Sequence, residues 1–267
     1  KNKLTTFTAY MNNPQYPLKV SIITVCLNSE RFICNAIDSV LGQKYNNIEY
    51  IVIDGGSTDG TIDIIKKYKS DIDIFISEPD AGIYDALNKG IKLATGEIIA
   101  VLHSDDLFYD EFVVSDMVNK MTDSVAELCF SDLIIVDHSG EKILRYYMAH
   151  YYKQWLFRIG WLPPHPTCFI KKSLFDEFGP YSTKYEVAGD FDFLVRIFYG
   201  REINWTYVNR IMVKMRYGGA SNSGWKSKKR NAQEISQVLR DNNVFSLPVF
   251  QLLRYLIRLL EMFVRPK

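Results

Sequence analysis

The chain has 267 residues, is 47% apolar by composition and carries a formal net charge of +1. This length and apolar content exclude a disordered or low-complexity protein and suffice for one large core, or for one domain with an appendage. The charge is uneven, because residues 226–267 hold nine Lys or Arg against three Asp or Glu, a net +6, which leaves −5 on the remainder. A basic tail of this kind favours an anionic surface, and we expect no nucleic-acid partner.

The four cysteines show no C-x-x-C spacing and have no histidines at zinc-ligand intervals. We therefore expect buried thiols in a reducing, cytoplasmic compartment. No secretory signal is recognisable, and no uncharged apolar stretch of about 20 residues predicts a transmembrane helix. Residues 1–17 are polar, contain Pro14 and Pro17, and are predicted to form a loose leader.

The first part of the chain alternates strand and helix patterns. Residues 19–27 and 48–53 are β-branched runs that predict buried strands, and helical patterns follow each of them at 33–41 and 61–68. Residues 72–77 predict a third strand. This alternation over about sixty residues indicates a parallel α/β sheet with right-handed crossovers, whose strand ends share one edge where ligands usually bind.

Carboxylates stand at two of these strand ends. Asp54 ends the second strand, and the pair Asp105 and Asp106 follows an apolar run at 98–103 that predicts another buried strand. Paired oxygen ligands suit Mg²⁺ or Mn²⁺ and a bound phosphate, and Asp54 could accept an N–H bond from a nucleotide base. Two structural alternatives stay open: the pair could only cap a helix starting near Asp110, and Asp54 could only organise the turn after it.

The later part of the chain is less regular. Prolines at 163, 164 and 166 place His165 in a rigid loop, where a structural role is the alternative to a chemical one. Asp190 stands at or near the start of a helix, as an N-cap or as a proton acceptor beside a cleft. The glycine-rich segment 218–224 is either a lid or a plain linker. The remaining predicted elements are helices at 84–94, 112–121 and 155–159 and strands at 127–136, 141–148 and 210–217.

The basic tail contains two helical patterns separated near Pro248. The second has a narrow polar stripe within a wide apolar arc. Such an arc fits a helix that lies on an anionic membrane or on a partner, with contact through residues 249–265, and packing into the core is the alternative. The stripe consists of Gln251, Arg254, Arg258, Glu261 and Arg265.

Several segments together resemble the family 2 inverting glycosyltransferases with the GT-A fold, particularly their bacterial polysaccharide-assembly branch. The resemblance runs from about Val20 to Ser223 and rests on the order of residues 20–25, 52–61, 77–90, 104–106, 164–167, 189–192 and 218–221. It implies an α/β, Rossmann-like nucleotide-diphospho-sugar transferase fold: a mixed, mostly parallel sheet flanked by helices, with a C-terminal helical extension. The expected organisation is a leader at 1–17, a GT-A domain at 18–225 and a basic amphipathic helical tail at 226–267.

The same resemblance implies metal-dependent transfer of a sugar, with inversion, from a nucleotide-diphospho-sugar that by family habit is a UDP-sugar. Asp190 is the implied general base, and Asp105 and Asp106 are the implied ligands of Mn²⁺ or Mg²⁺. Three positions depart from the family pattern: His103 and Gly189 replace acidic residues that are common there, and Leu87 replaces an arginine. The implied nucleotide-binding residues are Thr24, Val25, Glu30, Asp54, Asp85, Ser104 and Asp105. The implied acceptor or diphosphate contacts are His165, Asp192 and Ser221.

The implied acceptor is a saccharide or a lipid-linked saccharide in surface polysaccharide synthesis at the inner face of the cell membrane. A nucleotidyltransferase that makes nucleotide sugars is one alternative, but residues 24–30 lack the Gly-rich basic run that would hold a triphosphate. A non-catalytic carbohydrate-binding or scaffold protein is the other, and the retained carboxylates at 54, 105, 106 and 190 argue against it.

Overall fold

The computed structural model describes residues 17–218, 225–247 and 249–261. The predicted leader, apart from Pro17, and most of the glycine-rich segment lie outside these ranges. The strands are β1 (Val20–Cys26), β2 (Ile48–Asp54), β3 (Ile74–Ser77), β4 (Ile98–Val101), β5 (Leu107–Phe108), β6 (Leu128–Val136), β7 (Ile143–Tyr147), β8 (Phe169–Lys171) and β9 (Trp205–Arg216). The α-helices are α1 (Ile33–Leu41), α2 (Thr61–Lys67), α3 (Ile83–Leu93), α4 (Val113–Asp123), α5 (Lys172–Phe178), α6 (Gly189–Gly200), α7 (Trp225–Asp241) and α8 (Phe250–Glu261). Two 3₁₀ helices span Gln154–Ile159 and His165–Thr167.

The strands form one nine-stranded sheet in the order β3-β2-β1-β4-β8-β6-β9-β5, with β7 paired to β6. β1 pairs in parallel with both β2 and β4, and β2 pairs in parallel with β3, so these four strands end at one edge. β8 is antiparallel to β4 and β6, whereas β6 and β9 are parallel. The predicted mixed α/β sheet is therefore confirmed, and its first four strands follow the predicted order of strand and helix.

Burial on both faces explains why β1 lies at the centre of the parallel strands. All seven of its residues are buried, and successive side chains of a strand point to opposite faces of the sheet. Ile23 and Val25 accordingly join the core cluster on one face, and Val20 and Ile22 join the cluster on the other. Such two-sided burial accounts for the continuous apolar run that predicted the strand.

The alternative in which Asp105 and Asp106 only cap the following helix is wrong. β5 lies between this pair and α4, so the two carboxylates do not cap that helix. Asp110 lies next to the start of α4 instead, where its Oδ1 accepts a hydrogen bond from the backbone N–H of Phe112 at 2.9 Å.

The two tail helices contact the body in different ways. Ile235 and Val238 of α7 belong to the core cluster that also contains Phe191 and Phe193 of α6. Arg254 and Glu261 of the predicted polar stripe of α8 are buried. The leucines of this helix at 253, 256 and 259 are 46%, 58% and 52% exposed. Within the described ranges, no helix is long and apolar enough to span a membrane.

The cysteines are free thiols, as predicted. Cys26, Cys129 and Cys168 are buried and Cys34 is half-buried.

Candidate active site

A cavity of about 730 Å³ lies at the edge of the sheet where β1 and β4 end. Residues that follow these strands, the start of α6, the end of β9 and residues of α7 and α8 all contribute to its wall. Its acidic lining residues are Asp80, Asp105, Asp106 and Asp190, and its basic ones are Arg31, Arg145, Arg216, Lys228 and Arg254. Carboxylates and cations thus meet at the predicted ligand-binding edge.

The turn after β4 presents Ser104 and Asp105 to this cavity. The backbone N–H of Asp106 donates to the carbonyl of His103 at 3.0 Å, which closes the turn. The Ser104 hydroxyl lies 2.9 Å from the hydroxyl of Ser29 in the loop after β1, so the two strand ends are joined directly. The Arg216 guanidinium donates to the backbone carbonyl of Asp105 at 3.0 Å. Asp105 itself is half-buried and forms part of the cavity wall.

Asp106 differs from its neighbour in burial and in hydrogen bonding. It is 1% exposed, and its Oδ1 accepts a hydrogen bond from the backbone N–H of Arg216 at 3.3 Å. Burial raises the pKa of Asp106 well above its usual range, the charge of Asp105 adds to the rise, and Arg216 opposes it only in part. Asp106 is therefore less accessible to a cation than the half-buried Asp105.

The donor set suits a cation that a substrate helps to bind. The described part of the chain contains no group of three or more His, Cys, Asp or Glu that could hold a metal ion. Mg²⁺ is often bound by one or two carboxylates together with substrate phosphates, and Asp105 meets that requirement. His103 Nδ1 is buried without a hydrogen-bond partner among the described residues, so a polar group of a ligand would satisfy it.

Asp190 lies in the first turn of α6 and also lines the cavity. Its Oδ1 accepts hydrogen bonds from the Tyr84 hydroxyl at 3.1 Å and from the backbone N–H of Phe191 at 2.8 Å. Burial nevertheless raises the pKa of Asp190, although these two bonds act to lower it. A carboxylate with raised proton affinity in a cavity is suited to accept a proton.

The absence of a side chain at position 189 has a steric reason. A Cβ at Gly189 would lie 2.8 Å from ring atoms of Tyr84, closer than two carbon atoms can approach. The glycine, where an acidic residue is common in the resembling family, therefore lets Tyr84 reach Asp190.

The loop before Asp190 is held by α7. The Glu234 carboxylate accepts hydrogen bonds from the backbone N–H groups of Glu186, Val187 and Ala188 at 3.1, 2.9 and 3.0 Å. Charge-assisted bonds of this kind are stronger than neutral ones, so a tail helix fixes the position of the loop that carries Asp190.

Two predicted nucleotide-binding residues lie beneath the cavity wall. Thr24 is fully buried, and its hydroxyl accepts a hydrogen bond from Tyr50 at 3.1 Å. Asp54 is also fully buried. It accepts bonds from the Ser77 hydroxyl at 2.7 Å, from the Ser57 hydroxyl and from two backbone N–H groups of its loop. These bonds lower the pKa of Asp54 despite its burial. The turn-organising alternative therefore describes the geometry of Asp54.

Three further predicted residues are bonded away from the cavity, and one cannot be placed. The Glu30 carboxylate accepts from the backbone of Gly60 at 2.7 Å, and Asp85 forms an ion pair with Lys89. Asp192 is buried in an ion pair with Arg196 and accepts from the side chain of Asn242, which joins α6 to the end of α7. Ser221 lies outside the described residues.

Asp80 supplies a carboxylate near the position that the sequence suggested for Asp54. It follows β3, lines the cavity and packs over Gly55 at the end of β2, where a Cβ would collide with its carboxylate. Its Oδ1 accepts from the backbone N–H of Gly82 at 2.9 Å, which fixes its orientation. A carboxylate in the loop after a predicted parallel strand was the signal that could have identified it.

Three other predicted site residues, Val25, Ser104 and His165, line the cavity. His165 Nε2 lies 2.7 Å from the Tyr181 hydroxyl. Burial lowers the pKa of His165 to about 3, so the imidazole is neutral near pH 7 and can act only as a neutral hydrogen-bonding group.

Two cations that the sequence analysis missed, Arg31 and Arg216, line the same cavity as Asp105. The guanidinium groups of Arg31 and Arg216 lie 5.0 and 4.7 Å from the centre of the Phe32 ring. Arg216 reaches this position because β9 runs parallel to β6 and ends at the cavity edge. That pairing joins residues far apart in sequence, so no local pattern indicated it.

Comparison with known proteins identifies similar chains. Residues 21–178 match the family model "Glycosyl transferase family 2". A PGL/p-HBAD biosynthesis glycosyltransferase of Mycobacterium bovis is 30% identical over 208 residues, which cover 76% of this chain and 79% of that protein. An uncharacterized glycosyltransferase of Mycobacterium tuberculosis is 33% identical over 186 residues, 66% of this chain and 68% of that protein.

Solved structures with the same fold include TarS of S. aureus in complex with UDP-GlcNAc, with a TM-score of 0.66, 16% identity and 83% of this chain covered. This chain spans 66% of the length of that TarS chain. A mannosyltransferase from Pyrobaculum calidifontis, in complex with GDP-Man and Mn²⁺, has a TM-score of 0.64 at 17% identity. The match covers 92% of this chain and 74% of the mannosyltransferase chain.

Proposed function

The chain belongs to glycosyl transferase family 2, as its sequence predicted, and from this membership we propose that it transfers a sugar from a nucleotide-diphospho-sugar to an acceptor hydroxyl with inversion at the anomeric carbon. The observation that carries the proposal is that Asp105 and Asp190 line one cavity.

In this proposal Asp190 accepts the proton of the acceptor hydroxyl while that oxygen attacks the anomeric carbon. Burial raises the pKa of Asp190, which increases its affinity for this proton. The Tyr84 hydroxyl donates a hydrogen bond to Oδ1 of Asp190, so it orients the carboxylate. The nucleoside diphosphate leaves from the face of the sugar opposite to the attack.

We place the donor at the ends of β1 and β4. Val25, Ser104 and Asp80 line this part of the cavity and are the proposed nucleotide contacts. Arg31 and Arg216 line the same cavity, with both guanidinium groups next to the Phe32 ring, and both suit the oxygens of a diphosphate. UDP is our proposed nucleotide. Because the similar structures contain UDP-GlcNAc in one case and GDP-Man in the other, a thermal-shift panel of nucleotide sugars is the direct way to identify it.

Asp105 is the proposed ligand of Mn²⁺ or Mg²⁺. A divalent cation bound there supplies positive charge near the leaving diphosphate. Asp106 is not included, because its buried side chain already accepts a bond from Arg216. Arg216 orients the turn through the backbone carbonyl of Asp105, so this bond does not use the carboxylate that is proposed to bind the cation.

We also propose that the acceptor is a saccharide, lipid-linked or free, and that α8 brings the protein to the inner face of the cell membrane. Leucines 253, 256 and 259 are about half exposed, which supports contact with an apolar surface. The net charge of the tail supports an anionic one.

Replacement of the proposed base tests the reaction. Asp190→Asn should lower the rate of sugar transfer by about 10²–10⁴-fold, because the amide cannot accept the proton. Nucleotide-sugar binding, followed by calorimetry, should persist. Full transfer activity in this variant would refute the assignment of Asp190.

The proposed ligand is tested by the metal dependence of nucleotide binding. For Asp105→Ala we expect the increase in nucleoside diphosphate affinity that Mn²⁺ produces in the unmodified protein to disappear, since the carboxylate ligand is lost. Asp106→Asn is the matched variant and should retain that increase. Equal Mn²⁺ dependence in Asp105→Ala and in the unmodified protein would remove Asp105 from the site.

A further inference from the structure

The wall of the cavity also contains a second group of cations. We call this region the basic end and define it by Arg145 on β7, Lys228 and Asn231 on α7, and Arg254 on α8, all of which line the cavity. The two arginines and the lysine come from three different elements, so the fold brings these charges together at one place.

Arg254 is held in a fixed position at this end. It is 1% exposed, and its guanidinium donates to the Asn231 side-chain oxygen and to the Gly160 carbonyl, each at 3.3 Å. A buried guanidinium is a costly group to place in a protein, and its position in a cavity wall makes it available to an anion.

The basic end adjoins the proposed base. Asn231 contacts Arg254, and Glu234, three residues later on α7, holds the backbone of Ala188 next to α6. Three residues advance a helix by about 4.5 Å, so the two contacts are separated by roughly one helical turn. The basic end is therefore about one helical turn from the loop that carries Asp190.

The cations of this end suit a phosphate. Glu261 is buried, lies 3.6 Å from Arg145 Nε and also accepts a hydrogen bond from Tyr151 at 2.8 Å, so its carboxylate offsets part of the positive charge. The fork geometry of arginine matches phosphate oxygens in particular. Arg31 and Arg216, near Phe32, are already proposed as the cations for the donor diphosphate.

On the premise that the proposed transfer reaction is correct, we propose that the basic end binds a phosphate group of the acceptor. The acceptor is then a phosphorylated saccharide, either linked through phosphate to a lipid or water-soluble. The attacked hydroxyl lies near Asp190, and the phosphate is held by Lys228, Arg254 and Arg145.

Calorimetric titration of the full chain with geranyl phosphate, glucose 1-phosphate and geraniol tests this proposal. We expect at least one phosphate to bind and geraniol not to bind. Lys228→Gln and Arg254→Gln should weaken that binding by about tenfold. Lys229→Gln removes the same charge from the next residue of α7, which is exposed and outside the cavity wall, and should bind like the unmodified protein.

Lys228 is exposed, so its variant should fold even if Arg254→Gln does not, and thermal unfolding verifies this. Equal phosphate affinity in Lys228→Gln and Lys229→Gln, or loss of affinity only in Arg31→Gln, would overturn the proposal. Tighter binding of geranyl phosphate supports a lipid source, and tighter binding of glucose 1-phosphate supports a soluble one. Nucleotide-sugar hydrolysis by the unmodified protein is measured in parallel: hydrolysis without phosphate binding refutes the basic end alone, whereas absence of both refutes the proposed function.

Discussion

At the scale of single residues, the pKa of Asp190 results from opposing influences. Burial favours the neutral carboxyl, and the hydrogen bonds from the Phe191 backbone N–H and from the Tyr84 hydroxyl favour the carboxylate. The hydroxyl of Tyr84 therefore contributes to the pH at which the proposed base becomes active. Tyr84 has this position only because residue 189 has no side chain.

Tyr84→Phe should raise the pKa of Asp190, because a hydrogen bond to the charged form is lost. The proposed base works only when ionised, so the rate falls as the pH drops through this pKa. In the variant that fall should begin at a higher pH, as measured by the acid limb of the kcat/KM profile. Tyr45→Phe is the control, since Tyr45 donates to the Leu18 carbonyl at 2.6 Å and does not line the cavity. An acid limb that coincides with that of the unmodified protein would contradict this role.

Sequence alone predicted which strand ends carry carboxylates but not which carboxylates remain available. Asp54 and Asp105 both follow buried strands, yet serines 57 and 77 bond to Asp54 whereas Asp105 lines the cavity. Those bonds depend on how the loops after β2 and β3 fold against each other. Asp80 was missed for the same reason, because it belongs to the loop after β3 but packs against the loop after β2.

At the scale of secondary-structure elements, α7 acts as a support for the start of α6. One carboxylate, that of Glu234, satisfies three backbone N–H groups that would otherwise need water. Glu234→Ala should reduce the free energy of unfolding by about 2–3 kcal/mol, since bonds to a charged acceptor are lost. It should also reduce kcat, because the loop that leads to Asp190 loses its anchor.

Denaturant unfolding and transfer kinetics measure the two effects. Gln233→Ala alters the adjacent exposed residue of the same helix. It should change the free energy of unfolding by no more than about 0.5 kcal/mol, and kcat by no more than the factor that corresponds to this energy. Destabilisation in Glu234→Ala with an unchanged kcat would show that the contact supports the fold without positioning Asp190.

Local patterns predicted the elements that have their own periodicity. α1, α2 and α3 were found within two residues of their ends, as was β2. β5 was missed because it has two residues and exists only through its pairing with β9. The first five residues of β9 were missed as well, since their pairing with β6 defines them as a strand. The anchoring of α6 by α7 joins residues 46 positions apart, which no local window includes.

At the scale of the whole molecule, α8 connects the exterior to the cavity. Its Arg254 lines the cavity, and its leucines at 253, 256 and 259 face outward. The sequence predicted a wide apolar arc but could not give its orientation. That orientation depends on buried contacts with Gly160 and Tyr151.

Replacement of all three leucines by serine should weaken binding to vesicles of equal parts phosphatidylglycerol and phosphatidylcholine by about tenfold or more, because apolar area no longer leaves water. Sedimentation with the vesicles measures this. Leu41→Ser, at a 39% exposed leucine on α1, is the control and should bind normally. Unchanged sedimentation of the triple variant would exclude this face of α8 from membrane contact.

The fixed orientation of α8 has a consequence for the behaviour of the protein in solution. Because buried Arg254 and Glu261 hold the helix in place, it cannot rotate to hide its leucines. A surface of this kind favours concentration-dependent self-association whenever nothing covers it. The protein should therefore be least prone to aggregate in the presence of a mild detergent, which would cover the leucines without reaching the charges beneath them.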